Sequence, residues 1–378
     1  MKSWKKILTG ALIFAVIVGG GTAAGKFFGS SGAISVRGAA GGGKESFLAD
    51  AEVQKILLNK YNIKVTCDPW TDKDMVSGQL AYSEGDERLG KRVMYDFAFF
   101  SDQSYYEYYK IPSGASEARR MDIRRSMIAL STPVVIYSWD TVADALIAEN
   151  IVTKTGEVYY ITDMNKLISY ISSGKKWSEI GLPQIYGNIS IASADPAVSQ
   201  TGKLYYGLMT GIMNEGEVSS SNIQKTIPKL QNIYTKSAFV HDTPADFFDV
   251  YMRIGIGSRP MTAGFEKNII DFAVSNPEGY AQVKDRIRVL YPAPTTQNSH
   301  GIIAFSDEGA LLADALNDPE IQKIAFLRYG FRSDINSSSF DVSELGIPGI
   351  PQEMTLIIPN LNLSGYNMII EALEKTSE

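Results

Sequence analysis

Between Ala33 and Tyr61 the chain passes from a short apolar piece, Ala33–Val36, through six small residues, Gly38 to Gly43, into a longer patterned run. In that run Phe47, Leu48, Ala51, Val53, Ile56, Leu57 and Tyr61 recur mostly three or four positions apart, the period of an amphipathic helix. Four of the six small residues are glycines. A strand, a glycine loop and a helix start in that order point unpaired backbone N–H groups at one spot and let a ligand approach the main chain closely. The loop is therefore expected to form half of a ligand-binding cleft, with Gly41, Gly42, Gly43 and Lys44 on its wall. Two rival readings exist. Gly38-x-x-x-x-Gly43-Lys44 matches a nucleotide phosphate loop until its last position, where Glu45 stands in place of a magnesium-binding hydroxyl and would repel a triphosphate. The loop could also be a tether between an anchor and the domain.

The same design returns along the chain. Tyr95–Phe100 reads as a strand ended by Ser101-Asp102-Gln103-Ser104 at a helix start. Ser126–Ser131 and Pro133–Tyr137 read as two strand pieces separated at Thr132-Pro133, because proline cannot donate to a ladder. Ile189–Ala192 leads into Asp195-Pro196 and then Ser199, Thr201 and Gly202 before a helix over Lys203–Met213, with Ser199 or Thr201 as its N-cap. Pro260–Glu266 is another strand-to-helix junction, and a final helix covers Tyr366–Lys375. Alternating strands and helices define an α/β chain with mostly parallel sheets, whose ligands sit at the carboxyl ends of strands. The polar junctions there supply the candidate ligand-binding residues: Gly41, Gly42, Gly43, Lys44, Ser101, Asp102, Ser131, Thr132, Ser199, Thr201, Gly202 and Glu266.

The 378 residues suffice for two domains. Residues 1–32 carry four lysines and no acid, which leaves 32 basic against 42 acidic side chains on the remainder. Such an acidic exterior argues against nucleic acid as a partner. Cys67 is the only cysteine, so neither an intrachain disulfide nor a thiolate zinc site can form. Ile7–Gly25 is uncharged, with an apolar core of twelve residues, Ile7 to Val18. It reads either as a signal peptide, with Thr22-Ala23-Ala24 before the cut, or as a retained anchor. Both readings export the domain.

The order of these elements resembles the type II bacterial extracellular solute-binding proteins that feed ABC importers. The likeness runs over most of residues 33–375. It rests on the glycine loop before a helix, Asp96-Phe97-Ala98 ahead of a Ser/Asp turn, Lys175-Lys176-Trp177, Tyr291-Pro292-Ala293-Pro294, and Asp318-Pro319 leading to Tyr329-Gly330-Phe331-Arg332. Asp195-Pro196 with Ser199, Thr201 and Gly202 is similar to a DPT-x-S-x-S-G pattern of several such receptors. Here Gln200-Thr201 replaces its second serine, and no lipobox cysteine follows the apolar run. The resemblance implies an α/β, two-lobed, periplasmic-binding-protein-like (type II) fold after an N-terminal apolar segment. Two hinge strands would cross near Pro133–Ser138 and Leu290–Pro294. Lobe one would hold 33–135 plus 292–378, and lobe two 136–291. It further implies a small, anionic ligand between the lobes, importer membrane subunits as partners, no cofactor and no catalysis.

Three other functions use the same residues. Tyr205-Tyr206 could bind ferric iron, as adjacent tyrosines do in some two-lobed receptors. Asp102 and Glu266 could perform acid/base work, although no nucleophile elbow or His-Glu-x-x-His motif occurs. A membrane-anchored sensor could use the same fold without an importer. His241 and His300 are expected at the surface or in turns.

Overall fold

The apolar piece at Ala33–Val36 continues as a strand into the small residues. β1 (Ile34–Ala40) runs parallel to β2 (Ile63–Pro69) and to β3 (Phe97–Phe99). Gly38 lies within the strand, at a position where a Cβ would come 2.4 Å from the Phe97 ring. The other strands are β4 (Arg125–Trp139), β5 (Val152–Thr155), β6 (Val158–Ile161), β7 (Ser193–Ala194), β8 (Phe239–Val240), β9 (Met261–Phe265), β10 (Ile287–Pro292) and β11 (Gln297–Ala304). This computed structural model describes residues 32–76, 95–111, 122–237, 239–240, 244–257, 259–333, 340–354 and 356–377. The N-terminal apolar segment, Gly78, Gly85, Gly90, Arg119, Arg120 and His241 lie outside the described residues.

Nine strands form one continuous pairing in the order β2-β1-β3-β11-β4-β10-β6-β5, with β9 also on β4. The sheet is mixed, not mostly parallel. β1–β2, β1–β3 and β10–β6 are parallel, while β4–β11, β3–β11, β4–β9, β4–β10 and β5–β6 are antiparallel. The cause is β4, a single strand of 15 residues where two pieces were expected. Its first half pairs with β11 as far as Pro133 opposite Gln297; from Val134 onward it pairs with β9 and β10. Pro133 sits where the strand changes partners, and the next amide, Val134 N, donates to Thr296 O at 2.9 Å. The missing proline N–H therefore breaks nothing. The chain returns between the two halves along Pro292–Gln297, from β10 into β11.

The expected helix over 47–61 is two helices, Lys44–Leu48 and Ala51–Tyr61. Asp50 intervenes and caps the second by accepting from Glu52 N and Val53 N. Val36, Phe47, Leu57, Phe97, Ile302 and Leu312 pack in the first lobe's core, and Val135, Tyr137, Leu167, Tyr205, Ile233 and Leu290 in the second's. The C-terminal segment does not stay with the first lobe, where 292–378 was expected. Tyr366, Ile369 and Leu373 of the helix Leu363–Ser377 join the second core. Gln231 Nε2 donates to Ala372 O at 2.9 Å, and Gly207 leaves room for the Tyr366 ring, which a Cβ would meet at 2.7 Å.

Two buried polar pairs tie distant segments together. Arg332 donates from Nε to Glu266 Oε1 at 2.6 Å and from Nη2 to Oε2 at 2.8 Å, and Tyr291 OH donates to Oε2 at 2.7 Å. The backbone of Arg332 exchanges hydrogen bonds with Ser131 on β4 at 2.8 and 2.7 Å. Removing one partner of such a pair leaves an uncompensated buried charge, so Arg332→Met should cost ~3–5 kcal/mol in urea unfolding, and the double change Glu266→Gln/Arg332→Met markedly less. The second pair joins Lys44 Nζ to His300 Nδ1 at 2.9 Å. Burial and the neighbouring Lys44 hold the His300 ring well below its ordinary pKa. The folded state then takes up fewer protons than the unfolded chain. Stability should fall as pH drops below about 6.5, by up to about 1.4 kcal/mol per pH unit, and His300→Gln should flatten that slope between pH 6.5 and 5.

Candidate functional site

A cleft of about 530 Å³ opens at the carboxyl ends of β1, β2 and β3. Gly41, Gly42, Glu45, Trp70, Asp72, Ser101, Asp102 and Tyr105 form one wall, and Gln200, from the helix Gln200–Met213 of the other lobe, faces them. The loop geometry demands glycine at one of these positions above all. Gly42 has φ +64°, and a Cβ there would come within 2.7 Å of Ser101 Cβ. Gly41 lies against the Trp70 carbonyl, where a Cβ would approach to 2.7 Å.

Asp72 holds the loop's neighbour in place. Its carboxylate accepts from Ser101 N at 3.0 and 3.1 Å and from Ser101 Oγ at 2.8 Å. Burial raises its pKa, against the pull of Lys44. Asp102 caps the helix Gln103–Lys110 by accepting from Ser104 N and Ser104 Oγ, both at 2.8 Å. Its other oxygen meets Lys203 Nζ, which reaches across from the first turn of the Gln200–Met213 helix. Lys203 Nζ also donates to Ser104 Oγ at 2.8 Å and lies over the rings of Tyr366 (4.6 Å) and Tyr105 (5.1 Å). The ion pair is sealed, its side chains 8% and 5% exposed. A second bridge between the lobes runs from Gln200 Nε2 to Asn298 Oδ1 at 3.3 Å.

Of the expected binding residues, the structure places Gly41, Gly42, Ser101 and Asp102 on this wall. Gly43 (φ +82°) is exposed at the loop's far side. Lys44 turns inward, wholly buried against His300, and burial lowers its ammonium to about 8. It is not presented to a phosphate, which removes the nucleotide reading. Ser131 and Thr132 are buried in β4, where Thr132 Oγ1 accepts from Lys267 N at 3.2 Å. Ser199 is the buried N-cap of its helix, and Gly202 packs so closely on Ala194 that a Cβ would meet its carbonyl oxygen at 2.2 Å. Thr201 is half-buried beside them. Glu266 spends its carboxylate on Arg332 and Tyr291, away from the cleft.

Tyr205 and Tyr206 are fully buried in the core, and among the described residues no three His, Cys, Asp or Glu side chains gather as a metal site. His300, expected in a turn or at the surface, is 2% exposed on β11, where the Phe331 ring packs edge-on at 4.9 Å. Burial pushes the Cys67 thiol up to about 12, so it is no nucleophile at neutral pH. Trp70, Asp72, Tyr105, Gln200 and Lys203 escaped the sequence reading. Lys203 had a signal, a lone cation four positions after an N-cap serine and directly before an apolar helix run.

No protein-family model and no curated protein sequence matches this chain. Solved structures share its fold. An extracellular solute-binding protein from Bordetella parapertussis superposes over 90% of this chain and 97% of its own, with a TM-score of 0.59 at 12% identity. A Trichodesmium protein solved in complex with iron and citrate covers 91% and 99%, with a TM-score of 0.56 at 10% identity. An ABC transporter structure from Clostridium perfringens covers 90% and 98%, with 0.55 at 10% identity. Likeness at such identities is one of fold. Over its described residues the chain thus has the two-lobed, type II α/β fold of the extracellular solute-binding proteins, joined by two crossing strands.

Proposed function

We propose that the chain is an extracytoplasmic solute-binding protein that captures a small solute bearing an anionic group between its lobes and delivers it to the membrane subunits of an ABC importer. The observation that carries this reading is the cleft itself. Polar groups of both lobes face each other across it, on a frame linked in the sheet, among the described residues, by β4 and the return from β10 to β11. A solute held there contacts both lobes only when they are together, and so favours the closed arrangement. Support for an anionic group comes from the N-terminal turn of the 14-residue helix that presents Gln200 to the cleft. The fold neighbour solved with iron and citrate also holds an anionic ligand. The basic, apolar start of the chain supports export and residence at the outer face of a bacterial membrane.

Thermal unfolding of the full chain tests this. Phosphate, sulfate, molybdate, citrate, ferric citrate, sugars and amino acids are screened, and one class should stabilise the protein by about 2.7 kcal/mol at roughly a hundred times its Kd. With that solute, Gly42→Val should weaken binding by at least about tenfold, since the side chain must enter a left-handed conformation against Ser101. Arg124→Ala, on an exposed residue outside the cleft, should leave affinity unchanged. Equal losses, or no stabilisation by any solute, would refute the assignment.

A further inference from the structure

The wall of the cleft carries an anion, Asp102, whose partner Lys203 is buried behind it. Asp102 belongs to the first lobe and Lys203 to the second, and their ion pair crosses between them. Lys203 Nζ sits in a cage made of the Asp102 carboxylate, the Ser104 hydroxyl and the faces of Tyr105 and Tyr366. A carboxylate with two aromatic faces is the chemistry that recognises an ammonium. On the other side, Lys203 projects from the first turn of a long helix, where the helix dipole favours negative charge.

We infer that the solute of this cleft is a zwitterion, which takes over both halves of the Asp102–Lys203 pair: an ammonium on Asp102 and Tyr105, and an anionic group on Lys203. This rests on the solute-binding reading above and narrows its ligand class. The argument is one of buried charge. When the lobes part, the pair separates and water solvates both groups. When they close on a solute, each group is buried again and needs a partner. A plain anion would satisfy Lys203 and leave Asp102 without that partner on a wall where Glu45 and Asp72 outnumber Lys73. A plain amine would satisfy Asp102 and strand Lys203. A solute carrying both charges leaves neither group bare. Each group of the pair is the other's internal partner, so a solute that takes over both competes with the pair itself.

Calorimetric titration of the full chain checks this with α- and ω-amino acids, each compared with the amine and the carboxylate that lack one of its charges. At least one zwitterion should bind, with both single-charge halves about a hundredfold weaker or worse. Asp102→Asn and Lys203→Met should each weaken that zwitterion by about tenfold or more, and Lys203→Arg should retain much of the affinity. Circular dichroism establishes that the variants are folded, and the comparison of probes on the unaltered chain needs no variant. A half-molecule binding within about threefold of the zwitterion, or unchanged zwitterion binding in Lys203→Met, overturns the inference. Tight binding of a sugar, an oxyanion or ferric citrate with no zwitterion bound also overturns it, while leaving the solute-binding reading intact. Silence from every probe removes both.

Discussion

The structure depends on one constraint: β4 is a single strand that belongs to both halves of the sheet. Because its hydrogen-bond partners change from β11 to β9 and β10 within two residues, the two lobes are continuous along one backbone. The return from β10 to β11 provides the second link. After Phe331 in the first core the chain passes over once more, to Phe340 and Tyr366 in the second, and side-chain contacts add to these links. A fold of this kind places a cleft where the lobes meet, lined among the described residues from the carboxyl ends of β1, β2 and β3 and from the start of the Gln200–Met213 helix.

Buried charge then divides the polar residues by role. Glu266 and Arg332 are paired twice over, held further by Tyr291 and by the carbonyls of Pro351 and Gln352, and sit beside the crossing strand. Such a network has no spare acceptor for a solute and resists opening. Asp102 and Lys203 are joined differently. Each stands at the first turn of a helix in a different lobe, so their contact lasts only while the lobes are together. Lys44 and His300 form a third case, a pair packed under the glycine loop that supports its base and does not reach the cleft.

Several elements were legible in the residues alone. The glycine loop, Ser101-Asp102 before a helix, and the Ser199 N-cap all sit where local rules put them, because strand ends, caps and positive-φ glycines depend on near neighbours in sequence. The break expected at Pro133 and the turn expected for His300 failed for the same reason. A proline between two sets of partners and a histidine beneath a distant lysine are decided by segments some 130 to 250 residues away.

By itself the sequence determined an α/β chain whose polar junctions follow its strands, an acidic exterior with a basic, apolar start, and no cysteine chemistry beyond one thiol. Those are matters of periodicity, capping and composition. Tertiary structure alone decided which junctions meet. It sent Glu266 and Lys44 inward to Arg332 and His300, brought Asp102 to Lys203 across a gap of 101 residues, and carried the last helix back onto the second lobe. Pairing of buried charges and completion of an apolar core are set by separation in space, and no local pattern in the chain encodes that.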